Sequence, residues 1–428
     1  MRLELGRLKI TDLQFGGKTE VRNGTLYVNK VELEELLAED PNIARIELDL
    51  ARPGEDVRII PVKDVIEPRV KVEGPGGIFP GFINKVDTVG SGRTHVLSGV
   101  AVVTTGKIVG FQEGIIDMSG PGAEYSPFSR LLNLVVNITP VEGLPQHKHE
   151  YAVRLAGLKA AAYLGAAGKN IEPDELEVFD LGTLLENAAK YPDLPKVVYL
   201  YMLQTQGLLH DTYVYGIDAK KMLPSLINPT EIMDGAIISG NCVSACDKNT
   251  TYHHQNNPVV EQLFARHGKD FCFLGVVITN ENVTLADKER SSSYAAKLVK
   301  MMGADGAIIT EEGFGNPDTD LVMNCRKLED LGVQTVLITD EYAGRDGASQ
   351  SLADAVPQAN AVVSVGNANE VIELPPCKKV IGDANMAEII AGGFSGALSP
   401  DGSLKVEIQA ITGSTCELGF SKLRGDGF

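Results

Sequence analysis

No stretch of this sequence approaches the roughly 20 apolar residues that span a bilayer, which excludes a helical membrane span. Even the most alanine-rich segment, 151–168, carries Arg154 and Lys159 and reads as a soluble helix. Runs of Lys or Arg are missing too, in a chain with 39 basic and 57 acidic residues and a formal net charge of −18. A surface of that sign repels phosphate backbones and anionic lipid, so neither nucleic acid nor a membrane surface is an expected partner. The opening Met1-Arg2-Leu3-Glu4-Leu5-Gly6 lacks the apolar core of a signal peptide. Cysteine is absent from the first 241 residues; Cys242, Cys246, Cys272, Cys325, Cys377 and Cys416 all follow. A chain of 428 residues needs no disulfides to supplement its core, so thiols in a cytoplasmic, reducing compartment are the expectation. Tryptophan is absent altogether, which excludes no function by itself.

What is there is an ordinary globular composition, 43% hydrophobic and 22% charged, long enough for two or three domains. Residues 1–149 read as a β-rich region, with β-branched runs such as 57–62 and 99–104 between Gly and Pro clusters and one helix over 30–38. The 150–257 region is mixed: helices over 150–165 and within 176–189, strands at 194–202 and 236–239. In 258–428 strands and helices alternate, with strands at 271–279, 307–310, 335–339 and 361–365 and helices at 288–302, 318–331 and 351–356. Continuous apolar strands between helices indicate a parallel sheet covered on both faces. The predicted fold class is therefore α/β, an N-terminal β-rich region followed by a C-terminal domain with a mainly parallel sheet. Ligands in such sheets sit at the carboxyl ends of the strands. Here those ends carry Thr279-Asn280-Glu281, Thr310-Glu311-Glu312-Gly313, Thr339-Asp340-Glu341 and Val365-Gly366-Asn367. They suit a cation or an amine better than a phosphate.

The densest chemistry lies between Ser239 and Pro258, where two cysteines, two histidines and four asparagines fall within 20 residues. Three functional readings stand beside an ordinary polar loop. Cys242 and Cys246 with His253 and His254 half match zinc-ligand spacing, although adjacent histidines point apart. A single Cys–His pair would serve as an activated thiolate. The third reading uses Asn241-Cys242: an N-to-S acyl shift makes a thioester, β-elimination releases the upstream chain, and the dehydroalanine left behind hydrolyses to an N-terminal pyruvoyl group. Gly240 permits the strained turn such a shift needs.

The run Gly240-Asn241-Cys242-Val243-Ser244-Ala245-Cys246-Asp247-Lys248-Asn249-Thr250-Thr251-Tyr252-His253-His254-Gln255-Asn256-Asn257-Pro258 resembles the processing-site region of component B in the glycine, sarcosine and betaine reductase family. The likeness extends over essentially the whole chain, including Gly76-Gly77-Ile78-Phe79-Pro80-Gly81 and Ile309-Thr310-Glu311-Glu312-Gly313-Phe314-Gly315-Asn316, and more remotely to the D-proline reductase proprotein. The resemblance implies self-cleavage between Asn241 and Cys242 and a pyruvoyl cofactor derived from Cys242. It implies that this carbonyl holds the substrate amine as a Schiff base, for reductive deamination by a selenolate. The sequence contains no selenocysteine, so the resemblance implies that the nucleophile comes from a partner: the selenoprotein subunit of component B, with selenoprotein A and an acetyl-phosphate-forming component C downstream. Glycine is the leading substrate, with sarcosine and betaine as alternatives.

Further roles are candidates only. His253 and His254 titrate in the range for general acid–base work or shape the turn. Glu311 and Glu312 are candidates to steady an ammonium, and Arg93 to grip the substrate carboxylate. The loop around Arg93, Val89-Gly90-Ser91-Gly92, lacks the Gly-Lys-Ser/Thr of a phosphate cradle and reads as a hairpin turn. Cys246 reads as a packing residue. No metal is required by the pyruvoyl route. The rivals are a non-catalytic scaffold with a structural Cys/His cluster and a thiol- or zinc-dependent hydrolase.

Overall fold

The computed structural model describes residues 1–207, 209, 211–240 and 244–419. Its N-terminal part holds two four-stranded sheets. One runs Glu175–Asp180, Arg2–Lys9, Gly92–Ser98, Arg69–Glu73; the other runs Ile43–Ala51, Leu132–Pro140, Val100–Gly106, Asp64–Ile66. Helix Lys30–Ala38 forms where the sequence pattern places it, its first turn capped by the Asn29 side chain on the Glu32 N–H. The long helix Gln146–Ala166 lies across strands of both sheets. Gly165 lets it approach, because a Cβ there would sit 2.1 Å from the Arg69 carbonyl oxygen.

The six-stranded sheet runs Ser225–Ile227, Cys272–Asn280, Lys196–Leu203, Gly306–Thr310, Gln334–Glu341, Val362–Asn367. Its first strand is antiparallel and the other five are parallel. The apolar strand Lys196–Leu203 serves two cores at once. Val198, Leu200 and Met202 pack with Leu321 and Cys325 of helix Asn316–Asp330, and with Ala295 and Val299 of helix Leu285–Met301. Tyr199, Tyr201 and Leu203 face the opposite way, toward Val259, Val260 and Leu263 of helix Pro258–Arg266. Burial on both faces is why the strand reads as an uninterrupted apolar run. The α/β class is as the sequence pattern predicts.

The helix expected within 176–189 is present but shorter, and the one at 351–356 is corrected. The 176–189 stretch divides into strand Glu175–Asp180, antiparallel to Arg2–Lys9, and helix Leu184–Lys190, opened by a Thr183/Glu186 capping box. The 351–356 stretch is irregular rather than helical: Pro357 disfavours helix at Val356, and the Ala353 N–H donates to Asp318 instead of to its own chain. The sheets also cross the sequence boundaries at 149/150 and 257/258. The Lys196–Leu203 strand lies inside the parallel sheet, and Lys379–Gly382 pairs in parallel with Val57–Val62 far to its N-terminal side. Among the described residues, no helix is long and apolar enough to cross a membrane.

That long-range pairing depends on one glycine. Gly382 has φ of 105°, and a Cβ there would lie 1.8 Å from the Ile60 carbonyl oxygen. Gly382→Ala is expected to cost about 3 kcal/mol or more in urea unfolding. Gly17→Ala, where a Cβ would meet nothing within 4 Å, stays within about 0.5 kcal/mol of wild type.

Candidate functional site

The parallel strands end on acids. Glu281 follows Cys272–Asn280, Glu311 and Glu312 follow Gly306–Thr310, and Asp340 closes Gln334–Glu341; all four are buried. Two segments cover these ends, residues 244–257 and 412–418, and they are laced together. The Gly413 N–H donates to the Ala245 carbonyl at 2.8 Å and the Thr415 N–H to the Cys246 carbonyl at 3.2 Å. They add buried Asp247 and Glu417 to the cluster. Glu312 holds the cover from below: its Oε1 accepts from the Asn249 N–H at 2.9 Å and its Oε2 from the Thr212 hydroxyl at 3.2 Å. Its own N–H donates to Glu281 at 2.7 Å. Burial among like charges pushes the carboxyls of Glu281, Glu311, Asp340 and Glu417 well above the carboxylate range. Desolvation brings Glu312 up to about 7, against the opposing pull of the Asn249 N–H and Lys248.

The other wall comes from the N-terminal sheets. Thr251 donates its N–H and its hydroxyl to the two oxygens of Asp64 at 2.9 and 2.7 Å. The same hydroxyl accepts from the Ser239 N–H at 3.1 Å, fixing the backbone that leads into Gly240. Gly240 lines a cavity of about 10 Å³ with Lys63, Asp64, Glu150, Arg154 and Lys248, room for about one water molecule. Lys248 reaches the Lys63 carbonyl at 2.6 Å, and Lys63 is paired with Glu113 at 2.8 Å. Helix Gln146–Ala166 contributes Glu150 and Arg154, one turn apart and ion-paired, with the guanidinium 4.3 Å from the Tyr213 ring centre. Arg154 Nη1 is buried with no hydrogen-bond partner among the described residues.

The sequence candidates fall as follows. Asn241 and Cys242 lie outside the described residues; Gly240 and Ser244 flank them. His253, His254, Glu311 and Glu312 are brought into one buried region. Both histidines are fully buried, and desolvation lowers each to about 3, so they are neutral imidazoles at physiological pH. His253 Nδ1 accepts from the Thr250 N–H at 3.2 Å in a reciprocal cap, and its ring packs 5.0 Å from Phe128. His254 Nδ1 lies 2.7 Å from the Tyr201 hydroxyl. Arg93 does not join them. It sits on strand Gly92–Ser98 with its guanidinium bonded to Glu4 at 2.9 and 2.6 Å, because the sheet register sets those two residues opposite one another. Cys246 is buried as expected of a packing residue, but its Sγ lies 3.2 Å from the Tyr342 hydroxyl among carboxylates. Sequence reasoning missed Asp64, Lys248, Glu150 and Arg154. Lys248 stands inside the dense stretch, and Asp64 was visible as an acid within an apolar strand; Glu150 and Arg154 carry no signal beyond their one-turn spacing.

The family model for glycine/sarcosine/betaine reductase component B subunits matches residues 1–425. The chain is 66% identical over 428 residues to glycine reductase complex component B subunits alpha and beta of Peptoclostridium acidaminophilum, covering 100% of both chains. It is 64% identical over 425 residues to the protein of the same name from Acetoanaerobium sticklandii, covering 99% of each. Sarcosine reductase complex component B subunit alpha of P. acidaminophilum is 59% identical over 423 residues, again 99% of each. No solved structure matches.

The neutral histidines set an acid limb of stability. Their folded pKa values lie below the unfolded value near 6.5, so the unfolded chain binds more protons, and stability falls as pH drops from about 6.5 toward 3. Each histidine contributes about 1.4 kcal/mol per pH unit across that window. His254→Gln is expected to flatten the decline of the urea midpoint between pH 7 and 5. A slope identical to wild type would contradict the assignment.

Proposed function

This chain belongs to the glycine/sarcosine/betaine reductase component B family, and from that premise we propose that it is the glycine-specific precursor, cleaved between Asn241 and Cys242. One observation carries the reading: the relative it matches end to end bears a name that assigns two subunits, alpha and beta, to one chain. Membership makes it a subunit of a reductase system with other components. The selenoprotein subunit of component B, selenoprotein A and the acetyl-phosphate-forming component C are the proposed partners. The described cysteines are thiols, which supports a cytoplasmic site. Glycine is preferred over sarcosine because identity is 66% against 59%.

The niche at Gly240 has room for about one water molecule, and the buried cations Lys63, Arg154 and Lys248 in its lining would face the carboxylate oxygens of a substrate held at the neighbouring residue 242. The pyruvoyl group derived from Cys242 supplies an electron-withdrawing carbonyl for the substrate nitrogen. The chain's own residues do the rest. Asp64, acting through Thr251, holds the Ser239 N–H and the backbone that leads into Gly240. Lys248 stands between Asp64 and Glu312 and offsets both charges. Arg154, oriented by Glu150 and the Tyr213 ring, offers Nη1 to the substrate carboxylate, the role expected of Arg93 from sequence. His253 and His254 act as positioning residues: one caps the turn and the other orients Tyr201. Glu311 and Glu312 make the surroundings acidic where the substrate nitrogen carries charge.

A denaturing intact-mass spectrum of the protein from its native host is expected to give two chains breaking between Asn241 and Cys242. Cys242→Ala should give one uncut chain, and normal two-fragment maturation of that variant would sink the proposal. For the substrate site, Arg154→Lys keeps the charge but loses the planar fork. With partner components supplied, KM for glycine should rise about tenfold while maturation is unaffected. An unchanged KM would remove Arg154 from the substrate's contacts.

A further inference from the structure

Glu417 is fully buried, and neither of its carboxylate oxygens has a hydrogen-bond partner among the described residues. The charges that act on it most strongly are themselves carboxylates, Glu311, Asp340, Asp247 and Glu281. Asp247 and Asp340 show a common arrangement. One oxygen of each is held from behind, Asp247 Oδ2 by the Tyr342 hydroxyl at 3.2 Å and Asp340 Oδ2 by the Thr415 hydroxyl at 2.8 Å. The other oxygen of each, Oδ1, is buried and unpartnered. Outer hydrogen bonds that fix one carboxylate oxygen and leave the other to point inward are how ligands are oriented around a metal. Cys246 Sγ completes the group: ligand atoms of Cys246, Asp247 and Asp340 all lie within 4.8 Å of one another. That bound is within a few tenths of an ångström of the about 4.6 Å that two donors at about 2.3 Å from one ion can span, so small side-chain adjustments would close the group on a shared cation.

We propose that Cys246, Asp247 and Asp340 bind one divalent transition-metal ion, beside the buried Glu417 carboxylate. A thiolate beside two carboxylates favours a borderline ion such as Zn²⁺, Mn²⁺ or Fe²⁺ over Mg²⁺ or Ca²⁺, which take oxygen donors alone. The ligands come from two places, the end of strand Gln334–Glu341 and the segment that follows residues 241–243, and Thr415 of the C-terminal segment holds Asp340 from outside. The ion therefore clamps the segment that carries Cys246 and Asp247 onto the parallel sheet. This ligand set differs from the Cys242/Cys246/His253/His254 set suggested by spacing, whose histidines have Nδ1 engaged at Thr250 and at Tyr201. The inference does not depend on the substrate or on cleavage.

The test uses the full-length protein, purified without chelator and then stripped by dialysis against EDTA. Co²⁺ is the probe, because a thiolate ligand gives a near-ultraviolet charge-transfer band. Titration should saturate at one ion per chain, with the band present and the melting temperature raised. Cys246→Ser should lose the band, and Asp340→Asn should lose binding altogether. The as-purified wild-type protein should carry one divalent ion per chain by elemental analysis, and the Asp340→Asn protein should carry none. Absence of both band and thermal shift in the wild-type protein would overturn the proposal, whether or not either variant folds. Binding that survives Asp340→Asn would overturn it as well. An intact-mass spectrum of the same samples separates the two ideas: one bound ion on an uncut chain keeps the metal site and rejects the maturation proposal, and cleaved chains that bind no ion do the reverse.

Discussion

Thr251 meets Asp64 with two hydrogen bonds, one from its backbone and one from its hydroxyl, and the placement of Ser239, Gly240 and residues 244–257 is organised around that clasp. Asp64 belongs to an N-terminal sheet strand, whereas Glu312, which grips the Asn249 N–H from the other side, ends a strand of the parallel sheet. The segment is thus held between two carboxylates from two separate sheets. A two-point grip by an ionised or partly ionised oxygen pair is stronger and more directional than a neutral contact. It fixes Ser239 as well, because the Thr251 hydroxyl that donates to Asp64 also accepts from the Ser239 N–H. Lys248 sits close enough to both carboxylates to favour their charged forms against the desolvation that opposes them.

This clasp needs both sheets to be correctly placed, which explains the crossings between sequence regions. The Lys379–Gly382 strand returns to the N-terminal half and pairs with Val57–Val62, one residue before Lys63 and two before Asp64. The buried Arg58–Asp117 pair, at 2.7 and 2.8 Å, also bonds the Pro375 carbonyl at 3.1 Å. The chain therefore braces the Asp64 strand with residues more than 300 positions away. Removing either partner of such a buried pair leaves a desolvated charge, so the brace is more costly to break than an exposed ion pair.

Local sequence carried some of this and not the rest. Helix Lys30–Ala38 and the apolar parallel strands are legible because their periodicity and their flanking Gly and Pro residues are local signals. The acids at the strand ends were visible for the same reason, since strand order and carboxyl ends follow from alternation alone. Strand Glu175–Asp180 was not legible, because its weak alternation gains meaning only from Arg2–Lys9 beside it. The misreading of 351–356 came from propensity without its partner, Asp318, which takes an N–H a helix would need. Arg93 and Arg154 make the sharpest contrast. Both are single arginines in sequence, and only the register with Glu4 and the packing of the long helix beside Gly240 distinguish an occupied guanidinium from one with an open nitrogen.

Burial also changes what the histidines and the net charge mean. From sequence, His253 and His254 are attractive because an exposed imidazole titrates near neutrality. Desolvation removes that property and leaves two neutral rings whose work is geometric. The formal charge of −18 needs the same correction in the other direction. Glu281, Glu311, Asp340 and Glu417 count toward it, yet each is buried and driven toward its uncharged form or toward a cation. These acids do not contribute to the field outside the protein as exposed ones do. The excess of exposed acids still leaves the surface negative, so the argument against polyanionic partners survives with less force. What the interior acids do instead is create, at the ends of the parallel strands, a buried environment in which positive charge is favoured.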